Sequence, residues 1–443
     1  MAPSLGSQFK MSLSKPIAGY QFYQVCRQLS MILISIILVK MGLGQESIGR
    51  YESLLFLGNT LSLLWLNGLI NSFMAAPPQH EPKASNVWAV HFYWAILGFT
   101  LISAALGFIF EGPIQHIFLK ESNIEGFRPF LLYFLLSTPV WVFPQQLLIK
   151  EKGRYLWILS LLQLFLPAAL IVFHLSMDRS ITTVIWSLLM AFGFFHLLLL
   201  IQLGRGIFSA LDMKWFKTVL RKAMPLFVYA FFGSLAIWFD NWLVQRAYPD
   251  EQSFALFRYG AREFPIALVM ATALSTALIP AVAGNLQAGM AQIRKSTGQY
   301  FHFIMPMVLL LFFASPYLFE KVYDVDFRGS ALIFNAYLLI TASRLILPQT
   351  VLLGLGANRY LLRASIYECL VNVLATLALL PAFGLEGIAI GTAIAFTFEK
   401  LYYMTVLYRN FDIYPSSYIP MNTLMIYSTF LLLAFSLSRY LLF

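Results

Sequence analysis

Charge is scarce in this sequence of 443 residues: 11% are Asp, Glu, Lys or Arg, and 59% are hydrophobic. With a mean hydropathy of +0.73, a chain of this length cannot clothe a water-soluble fold. Cysteine is nearly absent. The two that occur, Cys26 and Cys369, fall in apolar runs and read as small core residues rather than disulfide partners or metal ligands. The histidines, His80, His91, His116, His174, His196 and His302, show no metal-ligand spacing. There is no G-x-x-x-x-G-K-[ST] loop, so nucleotide hydrolysis by that route is excluded. The segment GLGAN from Gly354 follows a helical pattern and lacks a third glycine, which removes a dinucleotide site. Asp324 and Asp326 have the spacing of a metal-binding pair. They share a short loop with Glu320, Lys321 and Arg328, however, and read as a solvated turn. No catalytic residue and no metal site is assigned, and no nucleic-acid partner is implied.

What the chain does have is long apolar runs. Windows of about 20 apolar residues predict spans near 18–40, 51–73, 87–110, 128–149, 155–175, 182–203, 225–247, 255–281, 300–319, 330–353, 361–382, 387–408 and 421–441. The first run is full length, so an uncleaved first span is expected rather than a signal peptide. A cytoplasmic N-terminus places an excess of Lys and Arg on the inner loops, as the positive-inside rule requires. The densest inner clusters are Lys150, Lys152 and Arg154, then Arg205, Lys214, Lys217, Arg221 and Lys222. The second cluster, in GRGIFSALDMKWFKTVLRK, reads as a basic amphipathic helix lying on the membrane surface.

Eight ionisable residues remain inside the spans: Arg27, Arg262, Arg344, Lys400, Asp240, Glu263, Glu368 and Glu399. Insertion scales charge roughly 2.5–3.5 kcal/mol for each Lys, Arg or Asp at mid-membrane, so these groups must face water or one another. Glu399 and Lys400 lie near a helix end and are expected to snorkel. Arg27 sits two turns into the first span beside Gln24 and Gln28, and the second span answers with Asn59, Thr60, Asn67 and Asn71. It faces either a hydrated cavity or an ion-pair partner on another helix. Glu263, Glu368 and Asp240 are open to two readings: a site for a coupling H+ or Na+, or salt bridges to the arginines.

The stretch Phe254 to Pro280, FALFRYGAREFPIALVMATALSTALIP, reads as one helix with Arg258 and Arg262 on the same face, four residues apart. The chain also repeats itself. VFPQQLLIKEKGRYLWIL from Val142 recurs as ILPQTVLLGLGANRYLLRA from Ile346: Pro144-Gln145 matches Pro348-Gln349, and Arg154-Tyr155-Leu156 matches Arg359-Tyr360-Leu361. Arg50-Tyr51 likewise matches Arg258-Tyr259. Equivalent spans lie six apart, which predicts an all-α polytopic membrane protein of two parallel six-helix halves. The halves would be related by a pseudo-twofold around a central cavity, with one extra C-terminal helix. The expected parts are residues 1–204 as the first half, 205–224 as a cytoplasmic amphipathic linker, 225–410 as the second half and 411–443 as the additional span. Pro144 and Pro348, at equivalent positions, and Pro280, ending the eighth span, are candidate hinges or static kinks.

The 6+6 repeat, the GLGQESIGRY loop, the intramembrane FDNW, the RYGAREFP…TALIP segment and FGLEGIAIGTAIA together resemble the multidrug/oligosaccharidyl-lipid/polysaccharide exporter (MOP) superfamily over roughly residues 10–410. Within it the chain is most similar to the polysaccharide-biosynthesis flippases of the bacterial inner membrane. That resemblance implies a multi-pass inner-membrane transporter, not an enzyme, whose substrate is an undecaprenyl-pyrophosphate-linked oligosaccharide. Its implied partners are the bilayer, a polysaccharide polymerase and glycosyltransferases. Arginine suits a diphosphate because its fork reaches two oxygens at once. The expected binding residues are Arg27, Gln24, Asn67, Arg258, Arg262 and Arg344. Asp240, Glu263 and Glu368 are the ion-coupling candidates, Asp240 foremost, and no cofactor is expected beyond the H+ or Na+. Two other classes stay open. A cation-coupled multidrug exporter shares the repeat but calls for an acidic or aromatic cavity. A membrane-embedded polymerase or glycosyltransferase handles the same carrier but calls for a large outer loop.

Overall fold

In lipid every backbone N–H and C=O must be satisfied within the segment that carries it, and each element of the described residues is helical or a turn. The computed structural model describes residues 16–75, 82–116, 124–208, 213–248 and 250–442. Among them, 11 helices are long and apolar enough to cross a membrane. Lys222, part of the inner basic cluster, and Asn71 have side chains outside the described set, and His80 lies outside it altogether. The chain is an all-α polytopic membrane protein.

It divides into two compact units, residues 1–231 with 249–252, and residues 232–248 with 253–443. The first contains α1 (Pro16–Lys40), α2 (Gln45–Ser62), α3 (Leu66–Ala75), α4 (Pro82–Ile109), the short α5 (Glu111–Ile114), α6 (Phe127–Ser137), α7 (Val142–Ile149), α8 (Gly153–Leu175) and α9 (Ile181–Leu203). Helix α1 packs along α8 and against α7, while α9 packs on α6 and α8. Helix α10 (Met213–Ala247) begins in this unit and ends in the other. Residues 213–224 of the linker expected over 205–224 are therefore continuous with the seventh span.

The second unit holds α11 (Glu251–Gly260), from Ser253 on, then α12 (Pro265–Gly284), α13 (Leu286–Val322), α14 (Ser330–Leu338), α15 (Ile340–Leu345), α16 (Pro348–Gly354), α17 (Asn358–Phe411) and α18 (Met421–Leu442). Helix α12 lies against α13 and α16, and α14 and α16 lie against α17. The additional helix α18 packs chiefly on α13. Its Arg439 Nη2 reaches the buried Glu386 Oε2 at 3.1 Å.

Several expected spans are broken, each for a local reason. The second is two helices, because side chains compete for the ladder carbonyls: Ser62 Oγ donates to Gly58 O at 2.8 Å and Trp65 Nε1 to Leu61 O at 3.0 Å. The fourth passes through a 3-10 turn at Thr138–Trp141, where Pro139 has no N–H to offer the preceding turn. The eighth is not the single helix expected. Residues 261–264 are non-helical, since Phe264 precedes Pro265 and is held extended at φ −61, ψ 110. Gly260 closes α11 where a Cβ would collide with the carbonyl oxygen of Ser330. The tenth is interrupted at Ile346 and Leu347, just before Pro348. Spans eleven and twelve are the two helical arms of α17, separated at Gly384 (φ 58, ψ −138), a conformation open in practice to glycine alone. Pro280 does not end its helix, which continues to Gly284.

Candidate functional site

In the first unit one face of α1 carries Tyr20, Tyr23, Gln24 and Arg27, a spacing of three and four that stacks them along the helix. The 3-10 turn before α7 brings Trp141 under Arg27, whose Cζ lies 4.3 Å from the centre of the indole. That turn is held from outside: Thr138 Oγ1 donates to Phe134 O at 2.6 Å, and His196 Nδ1 donates to Leu136 O at 2.8 Å. The Tyr20 hydroxyl is hydrogen-bonded to Gln24 and Gln145 and lies in the field of Arg27. The hydroxyls of Tyr23 and Tyr20 lie within the electrostatic reach of Arg27. Its Nε is buried with no hydrogen-bond partner, and no carboxylate of the described residues pairs with it. The inter-helix ion pair is thus not what the structure displays. Asn67 is exposed on α3.

The second unit treats its charges differently. Arg344, on α15, is clasped by Glu263 through Nε to Oε2 at 2.7 Å and Nη2 to Oε1 at 2.6 Å, and its Cζ lies 3.9 Å from the centre of Phe396. Lys400 and Glu399 do not snorkel. Both are buried, with Lys400 Nζ 2.6 Å from Glu399 Oε2 and the Tyr403 hydroxyl donating to Glu399 Oε1 at 2.8 Å. Glu368, 8% exposed, shares the electrostatic surroundings of these two pairs. Arg262 stands in the break between α11 and α12, so helical spacing does not align it with Arg258. Its Nε donates to the Arg258 carbonyl at 3.4 Å, and its Cζ lies 5.1 Å from the centre of Tyr259. Arg258 Nη1 donates to Asn241 Oδ1 at 3.3 Å.

Asp240 is the most enclosed carboxylate among the described residues, 1% exposed. Among the described residues its hydrogen-bond partners are neutral: Thr392 Oγ1 at 2.7 Å, Asn372 Nδ2 at 3.4 Å and Thr376 Oγ1 at 3.5 Å. Asn372 Oδ1 beside it is buried with no partner. An acid boxed in by hydroxyls and an amide, with a spare carbonyl oxygen at hand, is equipped to take up a proton or a small cation. Among the described residues no three His, Cys, Asp or Glu lie together as a metal site.

Of the hinge candidates, Pro144 lies on α7 just past the 3-10 turn and Pro348 opens α16, so both border a break, whereas Pro280 lies within a continuous helix. Sequence reasoning missed Trp141, Phe396, Tyr403 and Thr392. Trp141, Phe396 and Thr392 make their contacts across helices or turns, where no local pattern announces them, whereas Tyr403 bonds Glu399 one turn away on the same helix.

Comparison with solved structures shows that the chain shares its fold with known transporters. The chain is similar to the lipid II flippase MurJ in an inward closed conformation, at a TM-score of 0.69 and 14% identity over 96% of this chain and 98% of that one. It is similar also to the MATE multidrug transporter DinF-BH in complex with R6G, at 0.63 and 16% over 90% and 95%. A MOP superfamily transporter from Pyrococcus furiosus with a binding pocket of reverse polarity matches at 0.55 and 16% over 97% and 99%. No protein-family model matches the chain, and no curated protein matches it in sequence.

Proposed function

We propose that this protein is a flippase that carries an undecaprenyl-pyrophosphate-linked oligosaccharide from the inner to the outer leaflet of the bacterial inner membrane by alternating access, with its N-terminus in the cytoplasm. Arg27 is the observation that carries the reading. A guanidinium with a buried, unpaired Nε and no carboxylate partner among the described residues is costly to keep, and an incoming diphosphate supplies the missing counter-charge in bidentate form. Arg258 and Arg262 are the second unit's cations for the same class of ligand. Arg344, already clasped by Glu263, serves it less directly. A guanidinium with no carboxylate partner among the described residues repels an organic cation, which argues against the drug-exporter reading.

Asp240 is the coupling site in this scheme, exchanging H+ or Na+ so that the ion gradient biases the two states. A polysaccharide polymerase and glycosyltransferases are the partners such a substrate implies. The test is binding of purified protein to undecaprenyl diphosphate and to a panel of lipophilic organic cations, repeated with Arg27→Ala. Diphosphate binding that disappears in the variant supports the flippase. Cation binding indifferent to the substitution sinks it in favour of a drug exporter.

A further inference from the structure

The Pro-Gln pair of the internal repeat leads to an inference about what the first unit recognises besides phosphate. Gln145, 2% exposed, stands on α7 directly after the turn that carries Trp141. One end of its amide is engaged by the Tyr20 hydroxyl, which also faces Arg27. The other end, Oε1, is buried without a hydrogen-bond partner among the described residues. In the second unit Gln349 stands at the matching position after Pro348, and its Oε1 is likewise buried and unpaired. Interior polar atoms are rarely left so. A leucine or methionine would fill the space at no such penalty, yet glutamine stands at both positions. A ligand hydroxyl, which both donates and accepts, answers either orientation of the amide.

We propose that Gln145 receives a hydroxyl of the sugar attached to the diphosphate while Arg27 receives the phosphate oxygens, so that the first unit's ligand is a glycosyl diphosphate and Gln145 distinguishes it from the bare carrier. Tyr20 joins the two, touching Gln145 through its hydroxyl and Arg27 through its field. The proposal rests on the flippase reading and adds a specificity determinant to it. Arg27 gives affinity for any carrier diphosphate, and Gln145 gives the preference for a loaded one.

The experiment measures binding of undecaprenyl diphosphate, bare and carrying glucose, galactose or N-acetylglucosamine, to the full-length protein in nanodiscs. One neutral hydrogen bond is worth roughly a 2- to 12-fold difference, so at least one loaded carrier should bind that much more tightly than the bare one. Gln145→Leu should abolish this preference while holding bare-carrier binding within about twofold. Gln145→Met, which keeps the length of the side chain, should do the same and covers the case in which the leucine variant fails to fold. A preference that survives in the variant overturns the proposal, as does equal weakening of bare and loaded carriers, which would make Gln145 a packing residue. A wild-type protein without preference for any of the three sugars overturns it too, with the flippase reading intact. Loss of Arg27-dependent binding to the bare carrier is a separate outcome that brings down the flippase reading, and this proposal with it.

Discussion

Arg344 and Glu263 meet side-on, two nitrogens facing two oxygens at 2.7 and 2.6 Å. The guanidinium of Arg27 instead lies over the face of Trp141, and its Nε has no hydrogen-bond partner among the described residues. Two arginines that look alike in the sequence therefore stand in opposite electrostatic states. Removing one member of a largely buried pair strands the other. Glu263→Ala is expected to lower stability by about 3 kcal/mol, and Glu263→Leu combined with Arg344→Met to recover most of it. Thermal unfolding of the single and double variants in detergent checks this, and a double variant no more stable than Glu263→Ala would refute the pairing.

Arg27 should be sensitive to shape as well as charge. Arg27→Ala is expected to weaken undecaprenyl diphosphate binding roughly 10- to 150-fold, the range of one charge-assisted hydrogen bond. Arg27→Lys should fall between it and the wild type, because an ammonium keeps the charge but neither stacks on Trp141 nor binds in two places. Full export by both variants in a complementation assay at normal protein levels would rule out Arg27 as the anion site.

Asp240 leads to a prediction about energetics rather than affinity. Asp240→Asn preserves the volume and leaves an acceptor for the Thr392 hydroxyl but cannot change charge. Flipping in the variant should become insensitive to collapse of the proton or sodium gradient. Equal sensitivity in variant and wild type would show that the coupling ion binds elsewhere.

At Gly384 the backbone sits at φ 58, ψ −138, and an added Cβ would come within 3.1 Å of the Tyr248 hydroxyl. Gly384→Ala should cost about 1–3 kcal/mol from backbone strain alone, seen as a lowered unfolding temperature. An unchanged transition would mean that the two arms of α17 can turn elsewhere.

Outside the spans, burial and then the neighbouring Lys152 push the Lys150 amine down to about 8 from its ordinary 10.5. A lysine whose pKa is lower folded than unfolded binds fewer protons in the native state, so stability rises with pH across the window from about 8 to 10.5. The gap in unfolding temperature between wild type and Lys150→Met should narrow as pH rises through that window. A gap constant from about pH 7 to the upper end of the window would contradict the assignment.

The features behind these predictions were unevenly legible in the sequence. Most span positions followed from hydropathy alone, because a bilayer demands the same thing of every crossing segment, but the expected span 51–73 is two shorter helices and is not among the 11 long apolar ones. The breaks were less legible. Pro265 and Gly260 are visible signals, yet the apolar run continues through them and hides the interruption that takes Arg262 off the face of Arg258. Glu399 and Lys400 lie near enough to a helix end to suggest snorkelling, and only the packing around Tyr403 shows that they turn inward to each other.

By itself the sequence determined that this chain lives in a membrane, that it is built from a repeated set of helices, and which few residues are too polar to be there without a reason. Those are consequences of composition and order, and composition and order do not depend on folding. The tertiary structure alone decided which of these polar residues satisfy one another. The Arg344–Glu263 pair and the stacking of Arg27 on Trp141 are contacts of a few ångströms between segments far apart in the chain, set by the turn at Thr138–Trp141, the gap at 261–264 and the packing of α15 on α17. Such contacts leave Arg344 neutralised and the Arg27 Nε without a partner.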